Sequence, residues 1–308
     1  MLLEEQSVSL QPTLAARMSS PIASPSDYAV CHRIMRSASK NYSFASRFLP
    51  ADRRDHVAAL YALLRVGDDR VDVSRDQAGR SLEAIDAWER AYWQAFETGD
   101  SPEPVLRAYL NTALTFGIPA GLMSTYFRAM HEDLTITRFA SFDHLYHYME
   151  GSAVPVGRGM TYILGVRPPY VLDDALPGAD SLSVAMQLSN FWRDIGQDWE
   201  VMGRIYIPLE DMERFGYHEA DLAARRINRN LIELLEFEIE RTEQYYAVAR
   251  RSVSMLASGR WGVMSSLNIY RAILPSIRRN GYDVFGHRAG TSVWQKLALT
   301  GQAWLATR

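Results

Sequence analysis

Long stretches of this chain repeat apolar residues at intervals of three and four, the spacing that places them on one face of an α-helix. Prolines mark several limits: Pro50 precedes one stretch, and Pro104 and Pro119 open two others. Strand-like alternation is almost absent, and no repeat of fixed period occurs. The predicted helices span 27–40, 52–75, 80–98, 103–116, 119–134, 141–165, 179–199, 229–257, 260–280 and 291–305. The pattern therefore predicts an all-α fold whose helices surround a central apolar cavity or core.

Composition predicts one domain and excludes several classes of function. The 308 residues contain no linker-like run, so we expect a single domain over 26–308, after a loose segment 1–25 that mixes serine and proline. A hydrophobic share of 47% is ample for a core. The net charge of −3 argues against a nucleic-acid partner, which would need a basic face. Cys31 is the only cysteine, so no intramolecular disulfide and no cysteine-based zinc site is expected.

The two ends of the chain predict its location. The first residues carry acids where a signal peptide needs a basic start, and no run of about 18 apolar residues occurs, so we expect a cytoplasmic protein without a transmembrane helix. The last stretch, SVWQKLALTGQAWLATR, is amphipathic, which fits either packing against the core or peripheral contact with a membrane.

Two predicted helices carry clustered acids. Asp68 and Asp72 lie four residues apart, as do Asp194 and Asp198, so each pair shares one helix face. Adjacent carboxylates repel, and aspartate is a mediocre helix former, so local stability does not explain the pattern. Large apolar residues flank both clusters, which indicates helices buried on most sides, where acids need partners.

Magnesium and a diphosphate would supply those partners. Mg²⁺ takes oxygen ligands from one or two carboxylates and completes its shell with water and substrate phosphates. Arg65 and Arg193 lie beside the acids and suit a diphosphate, although each also has neighbouring aspartates to pair with. Gln187 and Asn190 precede Asp194 on the same face and offer neutral oxygen and amide groups. The alternative is a solvated acidic surface without function.

Other chemistries fit less well. His131, His144 and His147 are candidates for a transition metal, but the HED of AMHEDLTI lacks a second histidine four residues on. The signatures GxGxxG, P-loop and GxSxG do not occur. Ionisation of an allylic diphosphate leaves a carbocation, which requires an apolar, water-free cavity with aromatic groups. Aromatic candidates for such a cavity are Tyr42, Phe44, Tyr148, Tyr162, Trp192, Tyr245, Tyr246 and Tyr270.

Four motifs then follow one another along the chain. They are SKNYSFASRFLP, ALYALLRVGDDRVD, HYMEGSAVPVG and MQLSNFWRDIGQDWEVMGRIYIPLEDMERFG. With them the sequence, from about Tyr28 to about Lys296, resembles the squalene/phytoene synthases, which join two prenyl diphosphates head to head. The resemblance implies an isoprenoid-synthase-type fold and a metal site of Asp68, Asp72, Asn190, Asp194 and Asp198.

The same resemblance implies further site residues and cofactors. Contacts to the diphosphates are expected from Ser39, Arg65, Arg193 and Arg288. The reaction centre is expected to be lined by Tyr148, Gln187 and Tyr270. Mg²⁺ is the expected metal, with Mn²⁺ as a substitute, and NADPH is not expected because no nucleotide motif occurs. The segment after Asp198 contains Gly203 and Pro208 and fits either a lid over this pocket or a plain connection.

The expected reaction is condensation of two geranylgeranyl diphosphates to phytoene through a cyclopropylcarbinyl diphosphate, as in carotenoid biosynthesis. Three departures from the usual motifs, Asn41, Gln197 and Val154-Pro155, leave the predicted metal ligands in place. The alternatives are a C30 synthase that uses farnesyl diphosphate to make squalene, dehydrosqualene or hydroxysqualene, and a non-catalytic assembly protein of the same fold. A terpene cyclase would need an NDxxSxxxE motif, which Asn190, Asp194 and Asp198 do not match.

Overall fold

The computed structural model describes residues 22–38, 43–44, 46–71 and 78–308. In this part of the chain the regular structure is helical, without a strand longer than an isolated bridge. The α-helices are α1 (Pro25–Ala38), α2 (Ala51–Val71), α3 (Ala78–Thr98), α4 (Pro104–Phe116), α5 (Ser124–Glu132), α6 (Phe142–Ser152), α7 (Val154–Leu164), α8 (Leu172–Met202), α9 (Leu209–Arg214), α10 (Glu219–Ala223), α11 (Arg229–Ser252), α12 (Arg260–Arg271), α13 (Ile273–Arg279) and α14 (Val293–Thr307). Short 3₁₀ helices span Ala120–Met123 and Val253–Met255. The all-α prediction is confirmed; most of the predicted loose segment 1–25 lies outside the described residues.

Three predicted helices are divided in the structure, at points where the backbone explains the break. The stretch 141–165 separates at Ala153, because Pro155 lies in the first turn of α7, where its missing N–H costs nothing. The stretch 260–280 separates at Ala272, and Pro275 lies in the first turn of α13. In 119–134 a 3₁₀ turn follows Pro119 before α5 begins.

Helix α8 is the longest helix described, with 31 residues, and packs most extensively against α11 and α7. It begins seven residues before the predicted start at 179, because its N-terminal turn is stabilised by the side chain of Asp174, which accepts a hydrogen bond from the Val171 amide at 2.8 Å. It ends at Gly203, whose φ of +59° suits the left-handed conformation of a helix C-terminus.

The contact between α8 and α11 buries polar groups as matched pairs. Trp192 donates its indole N–H to Thr242 Oγ1 at 2.9 Å, and the hydroxyls of Ser189 and Tyr246 lie 2.8 Å apart. Buried polar groups that are satisfied in this way fix the rotation of a helix as well as its position. The rotation of α8 turns its opposite face, with Asn190 and Asp194, away from α11.

A hydrophobic core cluster runs through the described residues, from Ala23 near α1 to Ala303 in α14. Its largest fully buried side chains include Trp88, Tyr126 and Trp192. Within this part of the chain, no helix has the length and apolar character needed to cross a bilayer.

Candidate active site

One face of α8 carries four of the predicted site residues. Gln187, Asn190, Asp194 and Asp198 follow steps of three, four and four, so their side chains lie along a single face. Their rotation is set by Ser189 and Trp192 on the opposite side. The predicted grouping of these residues is therefore present in the fold.

Asp194 is held by two guanidinium groups. Arg193 pairs with its carboxylate from the adjacent position. Arg288 donates from Nε and Nη2 at 2.8 and 3.0 Å, although it lies 94 residues farther along the chain. Burial alone raises the pKa of Asp194, but hydrogen bonds from Arg193 and Arg288 outweigh burial and bring the pKa below its ordinary value. Asp194 is therefore a stable anion that two arginines share.

Asp198 has the opposite electrostatic character. Burial, and then the negative charge of Asp194 one turn away, raise the pKa of Asp198 to about 7. The charge of Arg204 opposes this rise, and the Arg204 backbone N–H donates to the carbonyl of Asp198 at 3.1 Å. A desolvated carboxylate beside a second carboxylate is an environment that a bound cation would stabilise.

Of the first acidic cluster, Asp68 lies on α2, where Tyr126 of α5 contacts it. Tyr126 donates its hydroxyl to the carbonyl of Leu64 at 2.6 Å and lies 3.3 Å from Asp68 Oδ1. Gly67 makes this approach possible, because a Cβ atom there would lie 2.0 Å from the Tyr126 oxygen. Asp72, the second carboxylate predicted in this cluster, lies outside the described residues.

Arg65 has an unsatisfied donor at this site. Its guanidinium forms an ion pair with Asp69, one turn on. Its Nε atom is buried without a hydrogen-bond partner among the described residues. A buried guanidinium donor that lacks a partner costs free energy, and an anionic ligand would satisfy it.

A network between the two acidic clusters was not predicted from the sequence. Tyr126 and Asp133 lie seven residues apart on one face of α5 and its C-terminal end. Asp133 Oδ1 accepts hydrogen bonds from Arg204 and from the Tyr148 hydroxyl, each at 2.9 Å. Arg204 also donates to Tyr206 at 2.8 Å. The only sequence signal was that Arg204 and Tyr206 belong to the GRIYIP part of the fourth motif.

This network shows how the segment after α8 is held. Ile205 donates to Thr137 O at 3.0 Å and Leu209 to Phe139 O at 2.9 Å, so the segment pairs with the connection that follows α5. The Tyr206 ring stacks on Phe191 with centroids 3.8 Å apart. Burial, and then the charges of Tyr206 and Asp133, raise the pKa of the Tyr148 phenol well above its ordinary range. The segment is thus a packed wall beside Asp198.

An apolar cavity opens from the acidic face of α8. Its empty volume is about 1150 Å³, including the space at its mouth. The lining follows α8 from Asn190 back to Ala175, 15 residues that correspond to about 22 Å of helix. Leu164 at the end of α7 and Leu256 line it together with Ala175. The cavity thus extends along about half the length of α8.

The cavity includes only part of the predicted reaction centre. Gln187, Asn190 and Tyr270 line it, whereas Tyr148 lies outside its lining, among Phe139 and Tyr206. Of the aromatic candidates within the described residues, Tyr270 is the one that contributes to this lining. Apart from the amides of Gln187 and Asn190, the other lining side chains are aliphatic or small. Tyr42 and the predicted diphosphate contact Ser39 lie outside the described residues.

The residues present fit a divalent cation, judged by their donor chemistry. Asp68, Asp194, Asp198 and Asn190 are oxygen donors of the kind that Mg²⁺ prefers. Burial and the neighbouring Asp194 carboxylate raise the pKa of Asp198, and a bound cation would stabilise its charged form. Among the described residues, no group of three or more His, Cys, Asp or Glu side chains is placed to hold a metal alone.

Comparison with known proteins identifies the family. The family model for squalene/phytoene synthase matches residues 35–295 of this chain. The chain belongs to the squalene/phytoene synthase family. Both the expected family and the expected class of enzyme, a prenyltransferase of this family's type, are confirmed. A phytoene synthase from Arthrospira platensis is 30% identical over 313 residues, with 97% of this chain and 99% of that protein covered.

Solved structures of the family share this fold. A dehydrosqualene synthase with a bound ligand superposes with a TM-score of 0.81 at 27% identity, covering 91% of this chain and 96% of that one. The squalene synthase HpnC from Alicyclobacillus acidocaldarius has a TM-score of 0.74 at 32% identity, covering 84% and 95%. The isoprenoid-synthase-type fold is thereby confirmed.

Proposed function

We propose that this protein condenses two molecules of geranylgeranyl diphosphate head to head to form phytoene, as a step of carotenoid biosynthesis. The observation that carries the proposal is the continuity of α8, whose acidic face at Asp194 and Asp198 leads through Asn190 into the apolar cavity. A diphosphate and a long hydrocarbon chain require these two environments side by side. Similarity to a phytoene synthase over nearly the whole chain supports the C40 product.

The metal is Mg²⁺, which Mn²⁺ can replace. It would be held by Asp68 on α2 and by Asp72, the residue that follows this helix in the sequence. Its other ligands would be Asn190, Asp194 and Asp198 on α8. When bound, it supplies positive charge that stabilises the departing diphosphate. Our assignment of these five ligands rests on their oxygen chemistry and on the carboxylate pair of α8.

The arginines receive the diphosphates. Arg65 offers its Nε, which has no hydrogen-bond partner in the part of the chain that the structure describes, and Arg193 and Arg288 already converge on Asp194. Guanidinium groups that bind the diphosphate oxygens stabilise the charge that develops as the carbon–oxygen bond breaks. Ser39 is proposed as a further diphosphate contact.

The cavity then governs the fate of the allylic cation. The double bond of the second substrate attacks the first cation, and loss of a proton closes a cyclopropylcarbinyl diphosphate. A second ionisation and rearrangement, ended by another proton loss, give phytoene. Gln187 and Tyr270 on the lining, and Tyr148 outside it, are proposed to shape this centre. The aliphatic walls exclude water that would trap the cation. Because no hydride is consumed, NADPH is not required.

A second candidate is a C30 synthase that uses farnesyl diphosphate. It is favoured by the high structural similarity to a dehydrosqualene synthase. We place either enzyme in the cytoplasm, with peripheral contact to a membrane that receives the water-insoluble product.

The test supplies the purified full chain with Mg²⁺ and either farnesyl or geranylgeranyl diphosphate, with and without NADPH. A C40 hydrocarbon formed without NADPH, together with released pyrophosphate, would support phytoene synthesis. A C30 hydrocarbon or alcohol would establish the second candidate instead. Absence of pyrophosphate with both substrates would refute both and favour a non-catalytic assembly protein.

Matched variants test the metal assignment. Asp68→Asn and Asp194→Asn should abolish turnover while the helical circular dichroism spectrum is retained. Asp173→Asn, an exposed acid at the far end of α8, should keep wild-type activity. Wild-type turnover in either site variant would remove that residue from the metal site.

A further inference from the structure

The chain between α13 and α14 carries Arg288 to the acidic face of α8. We call residues 280–288, which follow α13 directly, the Arg288 loop. The Arg288 side chain is 62% exposed, so packing does little to hold its guanidinium opposite Asp194. A long exposed side chain has many rotamers, and its reach is reproducible only where the backbone that carries it is fixed. The position of the guanidinium therefore depends on the conformation of the Arg288 loop.

Asp283 fixes this loop from within. Its Oδ1 atom accepts hydrogen bonds from the backbone N–H groups of Phe285 at 3.1 Å and Gly286 at 2.7 Å. Its Oδ2 atom lies 2.8 Å from Nδ1 of His287, the residue before Arg288. An aspartate that accepts from the backbone a few residues on closes a turn of the chain. Asp283 thus sets the direction in which the backbone enters Arg288.

The Arg288 loop lies directly against the backbone of α8. The Gly196 N–H donates to the carbonyl of Val284 at 3.2 Å. A Cβ atom at Gly196 would lie 2.7 Å from that carbonyl oxygen and 3.0 Å from Cα of Phe285, so a larger residue fits only if the loop shifts. Gly196 lies midway between Asp194 and Asp198 in the sequence. The loop is therefore seated on the helical turn that carries the two carboxylates.

The Arg288 loop also contains a strained residue that is held in place. Tyr282 has a φ of +60°, in the left-handed region that non-glycine residues rarely adopt. Its hydroxyl pairs with Glu236 of α11, which also forms an ion pair with Arg278. Strain of this kind persists where the surroundings require one conformation, and it is concentrated at functional sites. The strain at Tyr282 indicates that the fold maintains one conformation of the loop.

We propose that Asp283 is a positioning residue of this enzyme, which closes the Arg288 loop and so presents the Arg288 guanidinium to a substrate diphosphate. Gly196 is the seat that keeps this loop beside Asp194. Asp283 acts through Arg288 and not on the substrate itself. A guanidinium that is held in place before the ligand arrives binds more tightly, because less freedom is lost on binding. The loop geometry carries this inference, whereas the identity of the ligand as a diphosphate rests on the proposed function.

Calorimetric titration of the full chain with inorganic pyrophosphate and Mg²⁺ measures this positioning without requiring turnover. Asp283→Ala removes the acceptors of the turn, whereas Asp283→Asn keeps an oxygen that can accept the two backbone hydrogen bonds. Gly196→Ala displaces the loop without weakening α8, since alanine is the better helix former. Each variant is also made in an Arg288→Gln background. Asp174→Ala is the control, because it removes a side-chain hydrogen bond to the backbone, 2.8 Å long, at the far end of α8.

We expect Asp283→Ala and Gly196→Ala to weaken pyrophosphate binding about tenfold or more. Asp283→Asn and the control should bind within about twofold of the wild type. In the Arg288→Gln background, neither Asp283→Ala nor Gly196→Ala should weaken binding further, because a positioning residue has no effect once the group that it positions is absent. A merely structural role would instead weaken binding by the same factor in both backgrounds.

Unchanged binding by Asp283→Ala, or an equal loss with and without the Arg288 guanidinium, would overturn the proposal. Absence of pyrophosphate binding by the wild type would overturn it as well. Circular dichroism shows whether each variant is folded, and Gly196→Ala with its double variant decides the question if Asp283→Ala does not fold. The expected binding pattern in a protein that releases no pyrophosphate from either prenyl diphosphate would support the positioning and refute only the proposed function.

Discussion

Arg288 and Asp194 are joined by two hydrogen bonds, from Nε and Nη2 of the guanidinium to the two carboxylate oxygens, at 2.8 and 3.0 Å. The bidentate geometry orients a planar cation at the acidic face of α8, beside Arg193. A residue that follows α13 thereby completes a site built on α8. Arg288 lies outside the four motifs of the sequence, and the fold places it at the predicted cluster.

Replacement of Arg288 tests this relationship. Arg288→Gln removes the charge and should lower the rate of pyrophosphate release about tenfold or more, while Arg288→Lys should restore only part of it, since lysine lacks the planar fork. Steady-state kinetics with Mg²⁺ and geranylgeranyl diphosphate provide the measurement. Arg251→Gln, at an exposed position on α11, is the control and should be unaffected. Activity of Arg288→Gln within twofold of the wild type would exclude a role in diphosphate binding.

Gly67 permits the contact between α2 and α5. In Gly67→Ala the new Cβ would lie 2.0 Å from the Tyr126 oxygen, so we expect a loss of about 1–3 kcal/mol in the free energy of unfolding and displacement of Asp68. Denaturant unfolding and activity are both measured. Adding Tyr126→Phe to Gly67→Ala removes the clashing oxygen and should recover part of the stability. Gly301→Ala, where the added Cβ meets no neighbour within 4 Å, should be neutral or stabilising. Full stability of Gly67→Ala would show that the close approach is unimportant.

Ala175 offers a test of cavity length. It lines the cavity 15 residues before Asn190, so the larger side chain of Ala175→Leu should shorten the space for a prenyl chain. We expect the ratio of C20 to C15 substrate consumption to fall about tenfold or more, because even one methylene group in an apolar pocket changes such a ratio by roughly 10–200-fold. Competition between the two diphosphates, with products identified by mass, measures the ratio. Ala185→Leu, at a buried position outside the cavity lining, should reduce stability without changing the ratio. An unchanged ratio in Ala175→Leu would place the end of the substrate elsewhere.

The ion pair between Asp27 on α1 and Arg107 on α4 should make the contact between these helices sensitive to acid. Hydrogen bonding with Arg107, whose Nη2 lies 2.6 Å from Asp27 Oδ1, lowers the pKa of Asp27 from 3.8 to about 2. A lowered pKa means that the contact stabilises the fold fully above about pH 4, and that this stabilisation is lost as the pH falls towards 2. Asp27→Asn should therefore cost about 1–3 kcal/mol at pH 7 and unfold with a shallower pH dependence between pH 4 and 2 than the wild type.

Thermal unfolding across this pH range measures the effect. Asp52→Asn is the matched control, because the Asp52 side chain is 68% exposed in a surface pair with Arg53 and should change stability little. Parallel pH profiles for the wild type and Asp27→Asn would contradict the assignment.

Local sequence determined the helices and the composition of the acidic faces. The spacing of Asp194 and Asp198 places them on one face of any α-helix, because the helical period alone decides it. The long helix α8 and the apolar character of its flanks follow from the same periodicity. Pro155 and Pro275 lie in the first turns of α7 and α13. The sequence pattern predicted one continuous helix across each of them, because the apolar periodicity is not interrupted there.

Tertiary structure alone decided which distant groups meet. Arg288 reaches Asp194 across 94 residues and Arg204 reaches Asp133 across 71, and neither separation carries a periodic signal. The contact of Gly67 with Tyr126 likewise depends on how closely α2 and α5 pack. A helix face is set by bonds within a few residues, whereas its partners are set by the packing of the whole core. The chain by itself thus specified the chemistry on each helix, and only the packed fold brought the arginines, the carboxylates and the apolar cavity together.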